Sequence, residues 1–102
     1  MIEVRNNVEK SRYEVLVDSG VVGYADYKVE GDVLTAPHTV VDKDQGGKGL
    51  AGKMVTQLLD DARDAGQSVI PECPYVAGFI GKNPEYLELV PEDRRADFGL
   101  DK

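Results

Sequence analysis

The chain reads as one small mixed α/β domain, an antiparallel meander followed by helix, strand and helix. Three features predict this. Its 102 residues suffice for one core and leave no room for a second. Three strand-type runs follow one another with tight-turn chemistry between them. Near residue 48 the hydrophobic spacing then changes from strand to helix period.

The first strand-type run, residues 12–18, is Arg-Tyr-Glu-Val-Leu-Val-Asp, rich in β-branched and aromatic side chains. Asp18-Ser19-Gly20 supplies the turn after it. Val21 to Val29 continues as a second strand, with Val22, Tyr24 and Tyr27 among its bulky positions. Glu30-Gly31-Asp32 turns again into a third strand, Val33 to Val41, and Ile2 to Val8 adds an N-terminal one. Leu50, Met54, Leu58 and Ala62 then recur at four-residue steps, with Ala51, Val55 and Leu59 in the neighbouring row. That spacing predicts an amphipathic helix from Lys48 to Ala65, stopped by Gly66. Ser68-Val69-Ile70 is a short strand bounded by Pro71. Pro74 to Lys82 forms a second helix with proline in its first turn. Asn83-Pro84 breaks it, and one further turn runs to Val90. Residues 1–90 are assigned to the domain. Residues 91–102, of mixed charge and little apolar periodicity, are assigned to a flexible charged tail.

Composition narrows the function classes. Hydrophobic residues at 41% and charged ones at 30% are the balance of a soluble globular protein. A net charge of −7 argues against nucleic acid or an anionic membrane as partner. It leaves scope for a cationic substrate such as an amine. One cysteine excludes an internal disulfide, and one histidine beside it makes no metal site without a third clustered ligand. The absence of a leader-like or membrane-spanning apolar run predicts a cytoplasmic protein. A core this small cannot enclose a deep chamber, so any ligand must sit in a surface cleft.

The most informative stretch is Val40-Val41-Asp42-Lys43-Asp44-Gln45-Gly46-Gly47-Lys48-Gly49-Leu50-Ala51. A strand feeds a glycine-rich turn that opens into the long helix. The first amides of a helix lack internal partners, and the macrodipole adds positive character there. Glycines let such a backbone approach an anion closely, so the pattern suits a diphosphate. Two cradles compete. Gly47 to Met54 approaches the Walker A pattern, but Met54 stands where a magnesium-binding hydroxyl is needed. The chain is also short for the parallel sheet that such a fold requires. Gly46-Gly47-Lys48-Gly49-Leu50-Ala51 instead matches Arg/Gln-x-x-Gly-x-Gly/Ala, the acetyl-CoA loop of the GNAT superfamily of N-acetyltransferases. It departs only at the first position, where Gly46 replaces Arg or Gln and Gln45 lies one residue early.

Further blocks extend the likeness in order: His38-Thr39-Val40-Val41, the turn, Ala62-Arg63-Asp64-Ala65-Gly66, Pro71-Glu72-Cys73-Pro74-Tyr75-Val76 and Asn83-Pro84-Glu85-Tyr86. Together they resemble the small single-domain YjdJ-like branch of that superfamily, over residues 12 to 90. The resemblance implies a GNAT-like fold in which the strand before the turn splays from the strand after the helix. Acetyl-CoA would enter the V between Val33–Val41 and Ser68–Glu72. Main-chain groups of Thr39, Val40 and Val41 would bind its pantetheine arm in the manner of an added strand. Those of Gly47 to Ala51, with Gly46 and Lys48 beside them, would bind its diphosphate.

The same resemblance implies acetyl transfer to a small-molecule or peptidic amine, with His38 and Cys73 as catalytic candidates. His38 suits a general base or an activator of Cys73, and Cys73 suits a thiolate acyl acceptor. Direct transfer, with Cys73 lining the cleft, stays open. So does a structural role for either residue. Tyr86 stands where larger members protonate the departing thiolate, and Tyr75 is a weaker candidate. Two roles stay open for Asn83, a hydrogen bond to pantetheine or a cap on the preceding helix. A non-catalytic CoA-binding sensor or partner-binding module is the alternative function. The missing acceptor-side strands imply a shallow acceptor site and leave room for a homodimer.

Overall fold

The computed structural model describes residues 2–42 and 49–100. They form strands β1 (Ile2–Asn7), β2 (Arg12–Val17), β3 (Gly20–Glu30) and β4 (Val33–Val41), then helix α1 (Leu50–Asp64), strand β5 (Ser68–Ile70) and helix α2 (Pro74–Lys82). The five strands make one sheet in the order β1-β2-β3-β4-β5. The first four are antiparallel, and β5 returns parallel to β4 across α1. The expected meander, helix, strand and helix are all present.

Local chemistry explains the turns and ends. The β2–β3 hairpin closes on two residues, Asp18 and Ser19, whose φ angles of 50° and 74° are both positive. Such primed turns match the right-handed twist of the paired strands. Helix α1 ends as its sequence suggests, with Gly66 left-handed at φ 71°. Gln67 N–H then bonds the Ala62 carbonyl at 2.9 Å, and Gly66 N–H the Arg63 carbonyl at 3.1 Å, in a Schellman closure.

Helix α1 lays Leu50, Met54, Val55, Leu58, Leu59 and Ala62 on one face of the sheet. There they meet Tyr13, Val15, Ala25, Leu34, Ala36 and Val69 in a single core that α2 extends with Val76 and Ile80. Six buried apolar side chains on fifteen helical residues explain why a stretch containing Gly52 stays helical: burial outweighs the roughly 1 kcal/mol that a mid-helix glycine costs.

The region after Pro91, expected to be a flexible charged tail, is built differently. Glu92–Phe98 forms a 3-10 helix, and Leu100 is buried in the core. The Arg95 guanidinium donates to the carbonyls of Val90 and Leu87, tying the segment to the preceding turn. Two apolar anchors, Phe98 and Leu100, hold it with no periodicity for a pattern search to detect. Among the described residues, no helix is long and apolar enough to cross a membrane.

Candidate functional site

The site follows from how β4 and β5 part. Strand β5 pairs with β4 only at Val33–Ser68, Leu34–Val69 and Thr35–Ile70. The Cys73 amide then donates to the Ala36 carbonyl at 2.9 Å. Beyond that bond β4 runs on to Val41, while the other wall becomes α2. The cause lies in the β3–β4 register. Asp26 opposes His38 but Lys28 opposes Thr35, so Ala36 and Pro37 together face the single residue Tyr27. This bulge bends β4, and Pro37, which has no N–H to pair, occupies it.

The bulge also decides which groups look into the opening. Asp42 N–H bonds the Val22 carbonyl at 2.7 Å, so residues 42, 40 and 38 turn their main-chain groups toward β3. By alternation, the N–H and C=O of Thr39 and Val41 point to the open edge. Val40, expected to act with them, faces β3 instead. Gly23, opposite Val41, makes this packing possible: a Cβ there would lie 2.8 Å from the Val40 carbonyl and 2.9 Å from Val41 Cγ2. Composition carried no sign of that requirement.

At the far end of the opening α1 begins. Gly49 is its N-cap, with φ 72° and no side-chain capping bond, and nothing lies within 4 Å of where its Cβ would be. The first intrahelical bond is Lys53 N–H to the Gly49 carbonyl at 3.1 Å. The amides of Leu50, Ala51 and Gly52 therefore have no acceptor within the helix. Donors with no acceptor inside the helix, at a corner open around Gly49, suit an anion such as a diphosphate. Leu50 offers only its main chain, because its side chain is buried in the core. Gly46, Gly47 and Lys48 lie outside the described residues.

The two catalytic candidates lie on opposite faces of the sheet, Cys73 against Thr39 and His38 beside Tyr24. Cys73 is buried and donates its thiol to Thr39 Oγ1 at 3.5 Å. Thr39 pairs with Ala25, a core residue, so both belong to the helix side of the sheet. His38 alternates to the opposite, uncovered face and is exposed. Its ring lies 6.0 Å from that of Tyr24, and the Arg12 guanidinium stands 4.7 Å above Tyr24. Asp26 lies directly across from His38.

Two expected cofactor contacts are placed elsewhere. Asn83 donates its side-chain amide to the Phe79 carbonyl at 2.9 Å, closing the end of α2. Of the two roles open to it, the structure takes the cap. Tyr86 is buried, donates to Asp60 Oδ1 at 2.8 Å and carries Arg63 4.9 Å over its ring. Asp60 lies eleven residues after Gly49, about 16 Å down the helix axis, so the Tyr86 hydroxyl is held away from the start of α1, while its ring stands 6.2 Å from that of Phe79. Its hydrogen bond to Asp60 raises the phenol pKa, with burial adding to the shift. A locked phenol there makes a poor acid.

The uncovered face has its own electrostatic anchor in Glu14, which is only 2% exposed. Burial alone would push its carboxyl up. Hydrogen bonds from Arg12 at 2.9 Å, Arg5 at 3.0 Å and Asn7 at 3.2 Å more than offset that and hold it below the usual range. Among the described residues, no group of three His, Cys, Asp or Glu side chains is arranged to hold a metal ion.

Residues 12–89 match the GCN5-related N-acetyl-transferase family. A curated relative, the L-amino acid N-acyltransferase MnaT of Escherichia coli (strain K12), is 40% identical over 85 residues, covering 76% of this chain and 46% of the relative. The chain thus spans about half the length of that protein. Among solved structures, a GCN5-like protein from Staphylococcus aureus superposes with a TM-score of 0.69 at 18% identity, covering 87% of each chain. The N-acetylglutamate synthase of Neisseria gonorrhoeae, solved with coenzyme A and N-acetyl-glutamate, superposes with a TM-score of 0.52 at 17% identity over 87% of this chain and 22% of its own. At those identities the two structures speak for the fold.

Proposed function

The chain belongs to the GCN5-related N-acetyltransferase family, and on that premise we propose that it is an acetyl-CoA-dependent N-acetyltransferase acting on a small or peptidic amine. One observation supports this reading above the others. The main-chain edge of β4 opens just where β5 stops, and it leads toward an uncapped helix start. A long, thin ligand with an anionic middle suits that path. Acetyl-CoA supplies an acyl group activated as a thioester.

The chain's own residues have three tasks. Main-chain groups of Thr39 and Val41 grip the pantetheine amides as a neighbouring strand would. The amides of Leu50, Ala51 and Gly52 hold the diphosphate without a reorganisation cost. His38, on the uncovered face, takes the proton that the amine nitrogen loses as its bond to the acyl carbon forms and the carbon–sulfur bond breaks. In this reading transfer is direct, because Cys73 is buried with its thiol bonded to Thr39 Oγ1. Catalysis then rests mainly on holding two reactants together, a task within reach of a small domain. Acetyl-CoA and free amines meet in the cytoplasm, which is where this activity belongs.

The test is acetyl-CoA consumption across an amine panel that includes free L-amino acids, the acceptor class in the name of the curated relative. Turnover on at least one amine supports the reading. Saturable CoA binding with no turnover on any amine would instead assign the chain to non-catalytic CoA-binding modules.

A further inference from the structure

A cavity of about 220 Å³ lies at the opposite end of α1 from the opening. Its walls include Asn6 of β1, Tyr13 of β2, Tyr27 of β3 and Leu34 of β4, with Asp61 and Gln67 from the end of the helix. Asp61 lies twelve residues after Gly49, about 18 Å along the axis, so this space is separate from the path assigned to CoA. The rings of Tyr13 and Tyr27, both lining it, stand 5.6 Å apart at an interplanar angle of 52°.

Hydrogen bonds hold these groups in place. Tyr27 donates its hydroxyl to Asn6 Oδ1 at 2.7 Å, and Tyr13 donates to Asp61 Oδ2. Gln57 donates to Asp61 Oδ1 at 2.8 Å. A carboxylate offers roughly four acceptor positions, so about two of those on Asp61 remain. Neither donor is charged, and among the described residues no Lys, Arg or His forms an ion pair with Asp61. Among the described residues lining the cavity, Asp61 alone carries a charge. The C-terminal end of α1 adds partial negative character beside it. A carboxylate next to two aromatic rings suits an organic cation, whose N–H groups meet the anion while its charge faces the rings. The volume falls below the roughly 300–1,000 Å³ of pockets that take a drug-sized ligand, so a small ion is what fits.

We propose that this cavity binds a small organic ammonium ion, with its N–H groups on Asp61 and its carbon chain against Tyr13 and Tyr27. The site stands apart from the CoA path, and binding here requires neither cofactor nor transfer.

Amide NMR on the full chain without CoA tests this with butylammonium chloride and with butanol, its uncharged counterpart of similar shape. Butylammonium should saturably shift the amides of Tyr27, Ala62, Ala65 and Gln67. Butanol should bind about tenfold more weakly, the scale of a hydrogen bond to a charged group. Asp61→Asn keeps an oxygen for Tyr13 and the shape of the cavity but removes the charge. It should weaken butylammonium about tenfold as well. The butanol comparison uses the parent alone, so it decides even where Asp61→Asn fails to fold. Equal affinity for the two compounds, an unchanged Asp61→Asn, or no shift at those four amides would overturn the ammonium site.

Discussion

Gly23 illustrates how much of the opening depends on single atoms. Its missing Cβ leaves room for the Val40 carbonyl, and that carbonyl belongs to rigid backbone. Gly23→Ala should therefore cost about 1–3 kcal/mol in denaturant unfolding, the usual scale for overpacking, and weaken CoA binding by displacing β4. His38 and Cys73 separate at the same scale. His38→Gln should lower turnover about 10²-fold or more, whereas Cys73→Ala should stay within about tenfold of the parent. An acetyl adduct on Cys73 in rapidly quenched reactions would contradict direct transfer. The separation of these residues was not legible in sequence. A bulge of one residue at Ala36–Pro37 sets which side of β4 each side chain takes, and bulges are properties of paired strands. Gly23 was invisible for the same reason.

Elements were far more legible than contacts. The i, i+4 rows of α1, the Gly66 stop and the proline at the start of α2 all carry local physics, and these elements form where that physics puts them. The segment after Pro91 was not legible. It is held by two scattered anchors and by Arg95 bonding carbonyls, none of which leaves a period. Two backbone positions permit opposite tests. Gly52→Ala should stabilise the chain by about 1 kcal/mol, because the added methyl meets Tyr75 and Phe79 at ordinary contact distance. Ser19→Gly should raise the melting temperature as well, since Ser19 sits at φ 74° in the hairpin turn. Unchanged thermal unfolding in either variant would show that the local strain is absorbed elsewhere.

For the molecule as a whole, helices cover one face of the sheet and leave the other to Arg5, Arg12, Glu14, Tyr24 and His38. The buried Glu14 carboxyl, held below its ordinary value, links that face to acid stability. A depressed folded-state pKa contributes stability that is present above the unfolded value near 4.3 and lost as pH falls through the folded value. Melting temperature should thus fall on acidification below about pH 4 in the parent. Glu14→Gln should be less stable at pH 7, leaving Arg5 and Arg12 without their shared anion, and less sensitive to acid.

The central claim is that the open edge of β4 and the start of α1 together hold CoA, and amide NMR reads those groups one by one. Titration with CoA should shift the amides of Thr39, Val41, Leu50, Ala51 and Gly52 while those of β1 and β2 stay in place. Saturable shifts confined to β1 and β2, or none at all, would contradict it.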